Sequence, residues 1–196
     1  SLSNYSFHLG ASNTNIEEIK KVDINQAAAL KVFMGASTGE MLVDSLDALD
    51  DIFHYSPLIV VTHCEDPQRV VDNEKLFYEK YGDDLCAEQH HLIRDVESCY
   101  LSSSLAVSLA KKYDADLHVF HLTTEKEMEL FTEGDVIGKK ITAEVCVLMQ
   151  YKNVFWCNTR ISSAAMQEEC LLLLQNNGFY NILPEMGRYP TRSGEN

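Results

Sequence analysis

Five short runs of nearly unbroken apolar residues recur along the sequence: Tyr5–Leu9, Ala29–Met34, Leu58–Thr62, Leu117–Leu122 and Ile141–Val147. Each is rich in Val, Ile, Leu and Phe. A strand with one wet face alternates polar and apolar residues, whereas a strand covered on both faces does not. These runs therefore predict strands of a parallel sheet. Stretches with helical spacing separate them. Thr14–Val22 is short and polar. Ser45–Phe53 opens on a capping serine and sets Leu46, Leu49 and Phe53 on one side. Val70–Tyr81 comes next, then Arg94–Tyr113 with a stripe of Leu105, Ala106, Leu109, Ala110 and Tyr113. Thr124 and Glu127 have the spacing of a capping box. Ala164–Asn176 places Met166, Cys170, Leu173 and Leu174 on one face and stops at Asn177-Gly178. The order β-α-β-α-β-α-α-β-α-β-α predicts an α/β fold. Two architectures fit it: a doubly wound open sheet, or part of a (β/α)8 barrel, which normally needs about 250 residues. Both gather chemistry at the carboxyl ends of their strands.

Composition narrows the partners. Lys and Arg number 16 against 30 Asp and Glu, a formal charge of −14. Such a surface repels phosphate backbones, so no nucleic acid and no membrane are expected as partners. No apolar run approaches the roughly 20 residues that span a bilayer. The N-terminal SLSNYSFHLG lacks the basic stretch and long apolar core of a secretory signal. The cysteines Cys64, Cys86, Cys99, Cys146, Cys157 and Cys170 form no C-x-x-C pair. They read as reduced, buried thiols in a reducing, cytoplasmic compartment. Residues 1–186 read as one domain, and the polar Gly187–Asn196 as a loose tail.

Three histidines fall at or near predicted strand ends: His8, His63 and His121. Neutral imidazole is the commonest metal ligand, and two from neighbouring strand ends can converge on one ion. His63 is followed by Cys64-Glu65-Asp66, which crowds that strand end with polar groups. His118 and His121 lie three apart, so an ideal strand points them to opposite faces, and His121 is nearer the carboxyl end. His90-His91 reads as surface loop. Lys31 stands inside the apolar run Ala29–Met34. There it must snorkel, pair, or lose its charge. A neutral amine can act as a base, form a Schiff base, or capture carbon dioxide as a carbamate able to bridge two metals. Gly35-Ala36-Ser37-Thr38-Gly39 matches the G-x-S-x-G nucleophile elbow. An elbow needs a helix at once, but a new cap begins only at Ser45, so a glycine-rich turn is the better reading.

These residues together resemble the dihydroorotases, a family of cyclic amidohydrolases. The resemblance rests on Lys31-Val32-Phe33-Met34-Gly35-Ala36-Ser37-Thr38-Gly39 with Met41-Leu42-Val43-Asp44, and on Thr62-His63-Cys64-Glu65-Asp66. It continues through His91-Leu92-Ile93-Arg94, Ser102–Val107, Leu117–Thr124 and Ile141–Cys146. The motifs run in order over about Tyr5–Val147. The resemblance implies a partial TIM-type (β/α)8 barrel of about five βα units and a zinc-dependent hydrolase that opens or closes the cyclic amide of dihydroorotate. It implies two zinc ions bridged by a carbamylated Lys31, with His63 and His121 on the second ion and Asn158 touching a small-molecule substrate. A homo-oligomer is compatible with it. No H-x-H pair, the family's ligand set for the first ion, stands in this sequence. The resemblance places the family's first two strands ahead of Tyr5, and its catalytic Asp corresponds to the region Asn181–Arg188, where Glu185 is the acidic residue. The 196 residues alone are therefore expected to be inactive. A non-catalytic scaffold and a serine hydrolase using Ser37 with His121 are the alternatives.

Overall fold

The computed structural model describes residues 5–145 apart from 36, 38 and 86–88. Its strands are β1 (His8–Gly10), β2 (Ala29–Phe33), β3 (Val60–His63), β4 (Leu117–Leu122) and β5 (Ile141–Val145). They form one sheet in the order β1-β2-β3-β4-β5, and every neighbouring pair is parallel. This order separates the two architectures. A doubly wound sheet reverses at a switch point, so its strands lie out of sequence. Sequential order with crossovers of one hand carries every helix to the same face, as in a sector of a barrel.

The helices are α1 (Ile16–Ile19), α2 (Leu46–Tyr55), α3 (Pro67–Tyr81), α4 (His90–Ile93), α5 (Val96–Tyr113) and α6 (Glu125–Met128). The core fills the space between the sheet and α2 and α5. Leu30, Val32, Val60, Leu117 and Val119 from the strands meet Leu49, Ile52 and Phe53 of α2 and Ala106, Leu109 and Ala110 of α5. Lys31, Phe33, His118 and Phe120 take the alternate strand positions and lie only part-buried on the other, concave face. Among the described residues no helix is long and apolar enough to cross a membrane. Cys64 and Cys99 are buried and free.

Several boundaries differ from the sequence reading for identifiable reasons. β1 covers only His8–Gly10, and Tyr5 and Phe7 ahead of it are exposed. α3 begins at Pro67 because Asp66 caps it and proline suits the first helical position. The long helix expected from Arg94 starts at Val96. Asp95 interrupts it by accepting the Ser98 N–H at 2.9 Å, and His90-His91 belong to the separate turn α4 rather than to a loop. The predicted helix Ala164–Asn176 and the tail lie outside the described residues.

Asp95 also receives a forked ion pair from Arg69, with Nε to Oδ1 at 2.8 Å and Nη2 to Oδ2 at 2.6 Å, tying α3 to α5. Burial alone would push the Asp95 carboxyl up. Arg69 and the Ser98 N–H outweigh it and hold the carboxyl below its ordinary 3.8. A carboxyl depressed in the folded state stabilises above its unfolded pKa, and that contribution disappears as pH falls through the folded value. Asp95→Ala is expected to lower the unfolding free energy by about 1–2 kcal/mol in urea titrations, the usual size for a lost cap. Asp95→Asn should cost less, since Asn caps equally well, and should flatten the acid limb of the stability profile.

Candidate functional site

The site forms at the carboxyl ends of β2, β3 and β4. Parallel pairing sets Lys31 opposite Val61, Phe33 opposite His63, and Thr62 opposite Val119. His63, the last residue of β3, points to the concave face between its neighbours. His121 reaches the same place by a break in regularity. Across the β4–β5 ladder, Val119 pairs with Ala143 and Leu122 with Val145, so three steps on β4 oppose two on β5. His121 absorbs the extra residue with φ of 40°, a left-handed conformation uncommon for a non-glycine residue. The bulge restores Leu122 to the buried face and turns His121 to the side of His118 and Phe120. The expectation that His118 and His121 occupy opposite faces is thus corrected: it holds for an ideal strand, and the bulge shifts the alternation by one residue.

The result is a close imidazole pair. Nδ1 of His63 lies 3.1 Å from Nε2 of His121. Two nitrogens bound to one tetrahedral ion at about 2.0–2.1 Å each would sit roughly 3.3–3.4 Å apart, so the pair fits adjacent ligands of a single ion. Burial first, then the neighbouring His63, pushes His121 below the ordinary histidine value, which favours the neutral form that binds metals. Nε2 of His63 faces Oε2 of Glu65 at 2.9 Å, and the Arg94 guanidinium donates to the same oxygen.

Lys31 reaches across β3 from β2. Its Nζ lies 4.3 Å from the ring centre of Phe120 and 4.7 Å from that of Phe33. Among the described residues no carboxylate stands within ion-pair distance of it. Burial lowers its pKa to about 8, with Cys64 and Glu144 pulling weakly the other way. Glu144 pairs instead with Nε2 of His118 at 3.5 Å, and Thr142 Oγ1 lies 2.8 Å from Nδ1 of the same ring. His8, at the start of β1, is exposed and lies beside Phe120 with ring centres 6.1 Å apart.

Ser37 does not sit on an elbow. The chain after β2 returns to bridge Leu42 against Phe33, a single 3-10 turn covers Gly39–Met41, and α2 starts only at Leu46. Asn158 and Glu185 lie outside the described residues. Among the described residues no group of three His, Cys, Asp or Glu side chains is placed to hold a metal ion. The site therefore offers two imidazoles and a lysine of lowered pKa. Sequence reasoning passed over Glu65 and Arg94 as site residues. The His63-x-Glu65 spacing was the available signal, since residues two apart at a strand end share a side.

No family model and no curated protein matches the chain. Solved structures do. A D-hydantoinase matches at 21% identity and TM-score 0.63, over 78% of this chain and 34% of its own. The L-hydantoinase (dihydropyrimidinase) of Arthrobacter aurescens matches at 22% and 0.64, over 77% and 34%. The dihydropyrimidinase of Brevibacillus agri matches at 20% and 0.64, over 85% and 36%. At this identity the likeness carries the fold: a parallel α/β sector of the TIM barrel found in these amidohydrolases. The chain spans about a third of the length of each.

Lys31 makes the site costly to the fold. A lysine whose folded pKa is lowered destabilises below that value, and the penalty fades as pH rises towards the unfolded pKa. In the metal-free protein, Lys31→Met is expected to raise stability at neutral pH. The gain should shrink between about 8 and the ordinary 10.5, and parallel denaturant titrations across that range measure it.

Proposed function

We propose that the protein is a metal-dependent cyclic amidohydrolase, acting on the ring amide of a small dihydropyrimidine-like substrate. The reading is carried by the 3.1 Å pairing of His63 Nδ1 with His121 Nε2 beside a lysine of lowered pKa. His63 and His121 would hold one ion side by side. With a pKa near 8, roughly a tenth of Lys31 is neutral amine near pH 7. Only that form adds to carbon dioxide, giving a carbamate and releasing a proton. The carbamate oxygens would supply the bridging anion between two ions, which we take to be zinc. Such a centre, when occupied, supplies Lewis-acid activation of the ring carbonyl and of water. Phe33 and Phe120 wall the lysine and keep its amine desolvated.

Dihydroorotate is the proposed substrate, because the motifs around Lys31, His63 and His121 resemble dihydroorotases. The named structural neighbours act on hydantoins and dihydropyrimidines, so these rings are the competing substrates. Asn158 is the proposed substrate contact. The free, buried Cys64 and Cys99 support placing the activity in the cytoplasm, and the resemblance to dihydroorotases is the ground for proposing a role in pyrimidine synthesis. A serine hydrolase finds no support in the loop around Ser37.

The test uses the full-length protein loaded with zinc and freed of excess metal. Metal content by mass spectrometry should fall in His63→Ala, His121→Ala and Lys31→Ala. Turnover of dihydroorotate, hydantoin and dihydrouracil, measured side by side, should favour dihydroorotate and vanish in the same variants. The 196-residue chain alone should show no turnover. Wild-type metal content unchanged by all three substitutions overturns the reading.

A further inference from the structure

His63 has a partner on each ring nitrogen. Nδ1 faces His121, and Nε2 faces the carboxylate of Glu65. Glu65 is only 2% exposed. The Arg94 guanidinium pairs with the same Oε2, which makes the group a carboxylate. An ionised carboxylate can only accept, so the nitrogen facing it carries the hydrogen. A neutral imidazole with hydrogen on Nε2 has its lone pair on Nδ1, which is the nitrogen turned towards His121.

The backbone around Glu65 leaves it little freedom. A Cβ at Gly35 would stand 2.2 Å from the Glu65 carbonyl oxygen, so the chain after β2 lies flush against it. The next peptide is anchored as well, with Asp66 N donating to the Ser98 carbonyl at 2.8 Å. Arg94 is set at the corner between α4 and α5: its own N–H donates to His90 O at 3.0 Å, and Asp95 caps the following helix. Two side chains, His63 and Arg94, therefore meet on one carboxylate oxygen, and the backbone on either side of it is held by the chain after β2 and by α5.

We infer that Glu65, braced by Arg94, is a positioning residue that fixes His63 as the Nε2–H tautomer and presents its bare Nδ1 beside Nε2 of His121. The importance of this for metal binding rests on the reading of His63 and His121 as ligands; the tautomer itself does not. A carboxylate behind a ligating imidazole orients the ring and raises its basicity. Glu65 touches neither substrate nor ion in this role and acts through His63.

The experiment observes His63 directly. Full-length, metal-free protein labelled with 15N-histidine is studied by long-range proton–nitrogen correlation, at a pH where the rings are neutral. The His63 signals are assigned by their loss in His63→Gln. Wild type should show a protonated Nε2 and a bare Nδ1. Removing only one member of a buried ion pair can unfold a protein, whereas replacing both by apolar residues is often tolerated. The main variant is therefore Glu65→Met with Arg94→Met. It should give a mixture of His63 tautomers and, by chelator competition, weaken zinc affinity roughly 10- to 100-fold. Glu65→Gln, whose amide oxygen can still accept from Nε2–H, should restore the wild-type tautomer and most of the affinity. An unchanged His63 tautomer in the double variant overturns the inference, whatever zinc does. A changed tautomer in the double variant, with a wild-type protein that takes up no zinc, upholds the positioning role and overturns the metal reading instead.

Discussion

The register between β3 and β4 is the constraint on which the site depends. Thr62 pairs with Val119, so His63 stands level with Phe120 and His121 comes only one residue further along the ladder. His63 arrives at the concave face by regular alternation. His121 stands at a position that regular alternation would bury, and the bulge at φ of 40° turns it back. Leu122 then returns to the core, so one strained residue serves both faces. Strain of this kind costs of order 1–3 kcal/mol and persists only where its surroundings over-determine it. Here those surroundings are the β4–β5 ladder before it and a capped helix after it.

Each strand-end histidine is followed three residues later by a helix cap. Asp66 accepts from Arg69 N at 2.8 Å and starts α3; Thr124 accepts from Glu127 N at 3.3 Å and starts α6. The turn carrying each histidine is thus pinned by a strand on one side and a capped helix on the other. The second turn is reinforced from within. The buried carboxyl of Glu127 accepts from Ser103 Oγ at 2.6 Å and Thr124 Oγ1 at 2.8 Å, binding α6 to α5. Burial pushes that carboxyl above its ordinary value, the opposite of Glu65, which has an arginine beside it. Two buried glutamates near one site therefore meet different electrostatic surroundings.

Much of this was legible in the sequence. The apolar runs marked all five strands, β4 to the residue, and the caps at Ser45 and Thr124 formed as their spacing implied. Lys31 stands out in the sequence because a charge inside an apolar run demands explanation, and in the fold burial lowers its pKa to about 8. What the sequence hid was non-local. Nothing in Leu117–Leu122 announces a bulge, because the extra residue is defined only against β5. Arg94 read as the first residue of a long helix; its pairing with Glu65, distant in sequence, depends on the break that Asp95 introduces. The choice between an open sheet and a barrel sector likewise rests on strand order, which periodicity does not encode.

The same alternation that builds the core also aims the chemistry. On β2, Leu30 and Val32 face the helices while Lys31 and Phe33 face the concave side. A slip of one residue would send Lys31 into the layer filled by Ile52, Phe53 and Leu109, and put Leu30 and Val32 in its place. That arrangement would bury an ammonium without a partner and expose two core side chains, so it is strongly disfavoured. Register is therefore enforced on the helix side, where burial is complete, and inherited on the concave side, where it is not. This lets the concave face carry a desolvated lysine, a strained histidine and a buried carboxylate, none of which would choose its own position. Their placement follows from the apolar residues between them.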